Sequence, residues 1–163
     1  MSDTSSSVAD TRIGEHAGQS TDDIRSAPET TSASPAARTI ARFWRLMDAA
    51  DFAAAADLLS EEYVCDWPQS RERIRGRANF IAVNANYPGR WRITIQRLLA
   101  EGERVATEVT LTNGERTDRA VSFFELRDGL IAHEVDYWPE PYAAPADRAQ
   151  WVEPLGEHGE YEG

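Results

Sequence analysis

The order of the predicted secondary-structure elements is the feature that most restricts the fold of this 163-residue chain. Three short amphipathic helices, with one brief strand among them, precede four strands that alternate apolar and polar residues. The dipeptides Asn113-Gly114 and Asp128-Gly129 separate the last three strands, and both accept the positive φ angles of tight hairpins. This order predicts an α+β cone, in which three N-terminal helices pack on a curved, mostly antiparallel sheet around a hollow interior.

The first half of the domain supplies the helices. Apolar residues recur at helical spacing in residues 36–49 and 77–87, and a second helix begins after Asp51, whose carboxylate can cap its first turn. Residues 63–67 alternate as a short strand, which ends at Pro68 because proline cannot donate a ladder hydrogen bond. An arginine-rich loop is expected to join this strand to the third helix.

The composition changes along the chain and predicts one folded domain. Residues 1–35 contain thirteen serines and threonines and few large aliphatic residues, so they cannot bury enough surface to offset the entropy lost on ordering. We therefore predict a disordered polar leader at 1–35, one domain at 36–155 and a flexible acidic tail at 156–163.

Charge and composition exclude several classes of function. The formal net charge is −11, and so acidic a surface repels phosphate backbones and anionic lipids, which argues against nucleic-acid and membrane partners. All 17 basic residues are arginines. Without a lysine amine, the chain cannot form a Schiff base, bind pyridoxal phosphate covalently or build a Walker-type phosphate loop.

The usual signals for metals, disulfides and export are also missing from the sequence. Cys65 is the one cysteine, and the three histidines are scattered, so neither a disulfide nor a zinc site of ordinary spacing is expected. No apolar run reaches the length of a signal-peptide core or a membrane span. We therefore expect a cytoplasmic protein that acts without a cofactor or metal.

Three stretches of the sequence resemble a known family. Residues 43–52, 63–68 and 127–138 are similar to the SnoaL-like, polyketide-cyclase-related branch of the nuclear transport factor 2-like superfamily, and the resemblance extends over 36–153. It implies the cone-shaped fold of that superfamily and a cavity for a small molecule. It describes a fold rather than a catalytic signature, so the reaction does not follow from it.

Two enzyme types of the superfamily are matched only in part. Ketosteroid isomerases use a tyrosine, an aspartate base and a second acid. The resemblance places these at Phe43, Trp67 and Ser122, none of which carries the required group. Limonene epoxide hydrolases use an Arg-x-Asp pair and a late aspartate, and here Arg104 and Asp136 match. The remaining positions of that site do not match, since they fall at Val64, Asp66 and Ala106.

Asp136 is the leading candidate for catalysis. The alternation of the last strand puts Glu134 and Trp138 on the same side as Asp136, and the resemblance places Asp66 across the cavity from them. Two carboxylates in a mostly apolar pocket repel each other, so one holds a proton near neutral pH and the pair offers an acid and a base. The alternative is that Asp66 and Asp136 simply pair with arginines of the domain.

Further residues complete the predicted site. Arg104 is the third catalytic candidate, because it can orient Asp136, although at the start of a hairpin it can equally be a solvated charge. His133 can act as a base near neutral pH, but its position on the strand points it away from Asp136. Aromatic residues at these spacings are also common in ordinary cores. The predicted ligand-binding residues are Phe43, Trp67, Tyr87, Ser122, Phe124, Glu134 and Trp138.

These observations predict a small-molecule-binding protein that acts as a cofactor-independent acid/base enzyme of isomerase, cyclase, lyase or hydrolase type on a hydrophobic ligand. The alternative is a non-catalytic ligand carrier or a dimeric interaction module of the same fold. We also expect a homodimer that forms through the open face of the sheet, where Thr94 and Gln96 can pair across a two-fold axis.

Overall fold

Six strands form a curved, mostly antiparallel sheet, and the helices cover one of its faces. The computed structural model describes residues 33–155. The strand order is β2-β1-β6-β5-β4-β3, and β1 and β6 are parallel neighbours. The elements are α1 (Pro35–Asp48), α2 (Phe52–Ala56), β1 (Leu59–Trp67), β2 (Glu72–Arg75), α3 (Gly76–Ala85), β3 (Arg92–Glu101), β4 (Arg104–Thr112), β5 (Thr117–Arg127), β6 (Leu130–Tyr137) and a final 3₁₀ turn (Ala146–Trp151).

Local capping explains where the first two helices begin. The Ser34 hydroxyl accepts a hydrogen bond from the Ala37 backbone N–H at 3.1 Å, and Pro35 occupies the first helical position. Asp51 caps α2 through Oδ1, which accepts from the Ala54 N–H at 3.0 Å, as the sequence predicts. The apolar stripe of α1 is buried and includes Phe43.

One predicted loop is a strand, so the expectation of a single early strand is wrong. The arginine-rich segment forms β2, which pairs antiparallel with β1 and places Ile74 opposite Cys65. Ile74 is buried although both of its neighbours on the strand are exposed. A four-residue strand with one buried side chain is too short to show a period of two, which is why the pattern did not reveal it.

The two turn dipeptides differ in the loops that they form. Asp128 and Gly129 have φ angles of 53° and 78°, and they make the predicted two-residue hairpin between β5 and β6. Asn113 and Gly114 instead open a four-residue loop between β4 and β5. The Asn113 Oδ1 accepts from the backbone N–H groups of the next two residues after Gly114, which stabilises this wider turn.

The two faces of the sheet have different surroundings. The inner face packs against α1 and α3 around a buried core, whose members from the strands include Val105, Val109, Phe124, Leu126 and Ile131. On the outer face, Phe123 and Tyr137 are 51% and 41% exposed, and their rings meet edge to face at 6.2 Å. Gln96 donates to Thr110 across the β3–β4 pair on this face at 3.0 Å.

The last described element is a short turn of helix at Ala146–Trp151, in which the Trp151 side chain is 77% exposed. The predicted leader and tail concern residues that lie almost wholly outside 33–155. Among the described residues, no helix has the length and apolar character needed to cross a membrane.

Candidate functional site

A cavity of about 890 Å³ lies between the helices and the inner face of the sheet. β1 contributes Tyr63, Cys65 and Trp67 to its wall, and β6 contributes Glu134 and Asp136. Most of the remaining wall is apolar. Its aromatic members are Phe43, Trp44, Phe52, Tyr63, Trp67, Phe80, Tyr87, Trp91 and Trp138.

Two carboxyl groups lie side by side in the wall of this cavity. Glu134 and Asp136 are two residues apart on β6, so both point to the inner face, where they are only 3% and 6% exposed. No ion pair found among residues 33–155 involves either group. For Asp136, this contradicts the alternative in which a structural arginine neutralises it.

The parallel pairing of β1 with β6 brings hydrogen-bond donors to the two carboxyl groups. The Tyr63 hydroxyl donates to Glu134 Oε2, and the Trp67 indole N–H donates to Asp136 Oδ2 at 3.2 Å. The Cys65 Sγ lies 3.7 Å from the same Asp136 oxygen. All three donors therefore come from alternate residues of one strand, which share its inner face.

Burial dominates the electrostatics of the pair. It raises the pKa of Glu134 well above its ordinary value, and repulsion from Asp136 raises it further, against the hydrogen bond from Tyr63. Burial also raises the pKa of Asp136, but neighbouring polar groups, with Ser122 first, partly oppose this effect. The upward shift is the stronger at Glu134, so of the two coupled groups Glu134 is favoured to hold the proton and Asp136 is the better supported as a carboxylate.

The other titratable groups of this cluster stay neutral. Burial is the main cause that raises the pKa of the Tyr63 phenol and of the Cys65 thiol, and the carboxyl pair adds to both shifts. Ser122 lies directly opposite Asp136 on β5. Its hydroxyl oxygen and the Asp136 Oδ1 are both buried without a hydrogen-bond partner in the described structure, so their geometry falls short of a mutual hydrogen bond.

Asp66 does not face the cavity, which corrects the sequence expectation. Because Cys65 and Trp67 point inward, Asp66 between them points to the outer face of the sheet. There Arg73 donates to it at 2.5 and 2.8 Å, and the His133 Nε2 lies 3.0 Å away. The hydrogen bonds from Arg73 lower the pKa of Asp66 to about 2. Asp66 is thus part of an outer ion-pair cluster, and His133 lies on the side that its position on β6 predicts.

Arg104 is also absent from the cavity wall. It is exposed at the start of β4, where it pairs across the sheet with Glu101 on β3 and Glu125 on β5. It therefore cannot orient Asp136 in the described structure, and the reading of Arg104 as a solvated charge fits its position.

Most of the predicted ligand-binding residues line the cavity. Ser122 and Phe124 do not, because both are fully buried in the sheet behind it, and Phe124 packs its ring against Phe43 and Trp44 at 5.8 and 6.0 Å. The five that do line the cavity are Phe43, Trp67, Tyr87, Glu134 and Trp138. The sequence reading overlooked Tyr63, although a period of two counted back from Trp67 would have placed it on the same face.

The same cluster contains a possible set of metal ligands. The Cys65 sulfur and one oxygen each of Glu134 and Asp136 lie within 4.8 Å of one another. A metal ion binds a thiolate and ionised carboxylates, whereas burial here favours the protonated thiol and a protonated Glu134. A metal would have to displace both protons on binding.

The chain has sequence and structural similarity to known proteins. The model of the SnoaL-like domain family matches residues 40–134. A "putative ketosteroid isomerase" from Kribbella flavida is 34% identical, with a TM-score of 0.73 over 79% of this chain and 96% of that one. A nuclear transport factor 2-like protein of unknown function from Burkholderia xenovorans is also 34% identical, with a TM-score of 0.65 over 75% and 96% of the two chains.

A third similar structure has a named activity. It is an LEH-like epoxide hydrolase from M. tuberculosis, which is 27% identical, with a TM-score of 0.55 over 64% of this chain and 83% of that one. No functionally curated protein matches the sequence.

Proposed function

We propose that this protein binds a small hydrophobic molecule in the aromatic cavity and catalyses proton transfer on it without a cofactor. The chain belongs to the SnoaL-like domain family, and this membership supports the proposal. The observation that carries the proposal is the buried pair of Glu134 and Asp136 in an otherwise largely apolar wall. Two carboxyl groups with different protonation states supply an acid and a base from one site.

The two carboxyl groups have separate roles in this mechanism. Asp136 is the base, because its Oδ2 already accepts from Trp67, which stabilises the charged form. Glu134 is the acid, because burial and the neighbouring charge keep its proton in place. Asp136 removes a proton from the ligand while Glu134 delivers one to another atom of it, which leaves Asp136 protonated and Glu134 as a carboxylate. Transfer of the proton from Asp136 to the neighbouring Glu134 then restores the pair before the next turnover. The same two steps serve an isomerase, a cyclase, a lyase or a hydrolase.

Tyr63 is a positioning residue in this mechanism. Its hydroxyl donates to Glu134 Oε2, which fixes the orientation of the carboxyl group on β6. The aromatic side chains around the pair exclude water and so strengthen its electrostatic effect on a bound ligand. The names of two similar proteins, an isomerase and an epoxide hydrolase, support an enzymatic reading.

The alternative function is a non-catalytic carrier of the same hydrophobic ligand. It is favoured by Phe43 and Trp67, which stand where the resemblance to ketosteroid isomerases places a catalytic tyrosine and a base. In a carrier, the carboxyl pair would only orient the ligand.

Hydrogen exchange separates the two functions. The protein is incubated in D₂O with two apolar two-ring probes, the ketone 1-tetralone and the imine 1-methyl-3,4-dihydroisoquinoline, and deuterium incorporation is measured by mass spectrometry. We expect exchange above the buffer rate with at least one probe. Asp136→Asn should abolish it, and Asp66→Asn, which changes a carboxylate outside the cavity, should not. Binding of both probes without exchange supports the carrier.

We also propose that the protein is a homodimer and is located in the cytoplasm. The exposed Phe123 and Tyr137 support dimerisation, because apolar rings in the middle of an open sheet face favour coverage by a second copy. The free thiol of Cys65 supports a reducing compartment.

A further inference from the structure

The charges of the cavity wall favour a ligand with one sign of charge over the other. Its described members include four carboxyl groups, on Asp118, Glu134, Asp136 and Glu140, and one guanidinium, on Arg90. Asp118 is paired with Arg116 and Glu134 holds its proton, so Asp136 and Glu140 are the wall carboxylates outside the ion pairs found among residues 33–155. Arg90 is exposed at the rim and donates to the Trp91 carbonyl. An anionic ligand would therefore meet mostly like charge, and in a wall of low polarity such repulsion is only weakly screened.

The hydrogen-bond donors next to the carboxyl pair are already engaged. Tyr63 donates to Glu134, and both Trp67 and Cys65 are directed to one oxygen of Asp136. A reaction that develops an oxyanion needs free donors aimed at the growing negative charge. At this pair the donors from β1 face protein oxygens instead, and the O–H of Glu134 is the one remaining donor of the pair, so the local arrangement suits positive charge on the ligand better than negative charge.

Aromatic faces around the pair add to this preference. The ring of Tyr63 packs edge to face on Phe80, and Phe80 packs on Phe43, so a row of rings lines the same cavity as the acids. The negative face of an aromatic ring attracts a cation, most strongly where water is excluded. The molecule already shows such a contact at a ring of the cavity wall, where the Arg116 guanidinium lies 5.4 Å from the centre of the Trp91 ring.

From these three features we propose that the ligand is an apolar molecule with a basic nitrogen, held as a cation against Glu134 and Asp136. This inference rests on the proposed function, because it names the ligand class of the same cavity. An amine or imine that enters as the free base takes the proton of Glu134: the O–H bond breaks, an N–H bond forms, and the glutamate is left as a carboxylate beside the new cation. A ligand that enters already protonated reaches the same charge distribution when the pair releases its proton to solvent.

Three probes with one ring system test this inference. They are 1-naphthylmethylamine, 1-naphthalenemethanol and 1-naphthaleneacetate, whose binding to the full chain at neutral pH is measured by calorimetry. We expect the amine to bind at least about ten-fold more tightly than the alcohol, which corresponds to about 1.4 kcal/mol. The acetate should bind more weakly than both.

The carboxyl pair should be the source of this selectivity. Glu134→Gln and Asp136→Asn together should reduce the amine to the affinity of the alcohol, whereas the affinity for the alcohol should change little. Asp66→Asn is the matched control, since it removes a carboxylate on the other face of the sheet, and it should leave the ratio unchanged.

The outcomes separate this inference from the proposed function. Equal binding of the amine and the alcohol, or tighter binding of the acetate, overturns the inference and leaves a hydrophobic cavity in place. If none of the three probes binds up to its solubility limit, the proposed function itself is contradicted and the inference fails with it.

Discussion

Tyr63 and Glu134 are 71 residues apart in the sequence, and the phenol of the first donates a hydrogen bond to the buried carboxyl group of the second. The contact exists because β1 lies parallel to β6 in the middle of the sheet, with Cys65 directly beside Glu134. This register places three inward side chains of β1 against the two acids of β6. The candidate site is therefore a property of one strand pairing.

Replacement of Asp136 by asparagine should leave the free energy of unfolding unchanged or raise it. The substitution removes a charge that burial disfavours, keeps an oxygen that can accept from Trp67, and breaks no ion pair. A denaturant titration at neutral pH measures the effect. A loss of about 3–5 kcal/mol, which is typical of a broken buried ion pair, would show that Asp136 has a structural role instead.

Glu134 should make the protein less stable as the pH rises. Its pKa is raised in the folded state, so between the ordinary glutamic acid pKa and the folded value the unfolded chain has already lost the proton that the folded chain keeps. The contribution of Glu134 is therefore complete at low pH and is lost as the pH rises through the folded pKa. Glu134→Gln should flatten this part of the curve of unfolding free energy against pH.

Asp66 provides a contrast of opposite sign. Its folded pKa of about 2 lies below the ordinary value, so its contribution to the free energy of unfolding is present above that ordinary value and is lost as the pH falls toward 2.

Infrared spectroscopy tests which group holds the proton of the buried pair. The infrared C=O band of a protonated carboxyl group should persist at neutral pH in the parent chain. If Glu134→Gln does not remove that band, another group holds the proton.

Tyr63→Phe should destabilise the protein by about 1–3 kcal/mol, the usual cost of a buried acceptor that loses its donor. It should also raise the pKa of Glu134 further, because the lost hydrogen bond favours the charged form. Denaturant titration and infrared titration measure the two effects. Tyr137→Phe is the matched control, since that ring lies half exposed on the outer face and should change neither.

Light scattering at micromolar concentration should give the mass of a dimer. Phe123→Glu should convert it to a monomer with an unchanged circular dichroism spectrum, because the ring is 51% exposed and is not part of the core. A monomer mass for the parent chain would mean that the outer face is not a dimer interface.

Removal of residues 1–32 should leave the melting temperature unchanged, since their composition predicts no packing on the domain. A chain that begins at Ala33 keeps Ser34, which caps α1. A chain that begins at Pro35 loses this cap, at a cost of about 1 kcal/mol. A fall of many degrees for the first of these chains would show that the leader does pack on the domain.

The sequence by itself determined the features that depend on neighbours along the chain. Helical spacing predicted α1 with its buried Phe43, and a period of two placed Glu134 and Asp136 on one face of β6. The residues Asp128 and Gly129 specified their own hairpin, because positive φ angles are a local preference. The fold class followed from the order of these elements.

Only the tertiary structure decided which residues meet. The sequence alone did not show whether Asp66 or Cys65 points inward, because the inner face of β1 is buried while Asp66 on its outer face forms ion pairs with Arg73 and His133. Its alternation is therefore blurred by polar residues that have partners from distant segments. The hydrogen-bond donors to Glu134 and Asp136 come from β1, some 70 residues earlier in the chain. Pairing between strands so far apart in sequence is set by the packing of the whole sheet.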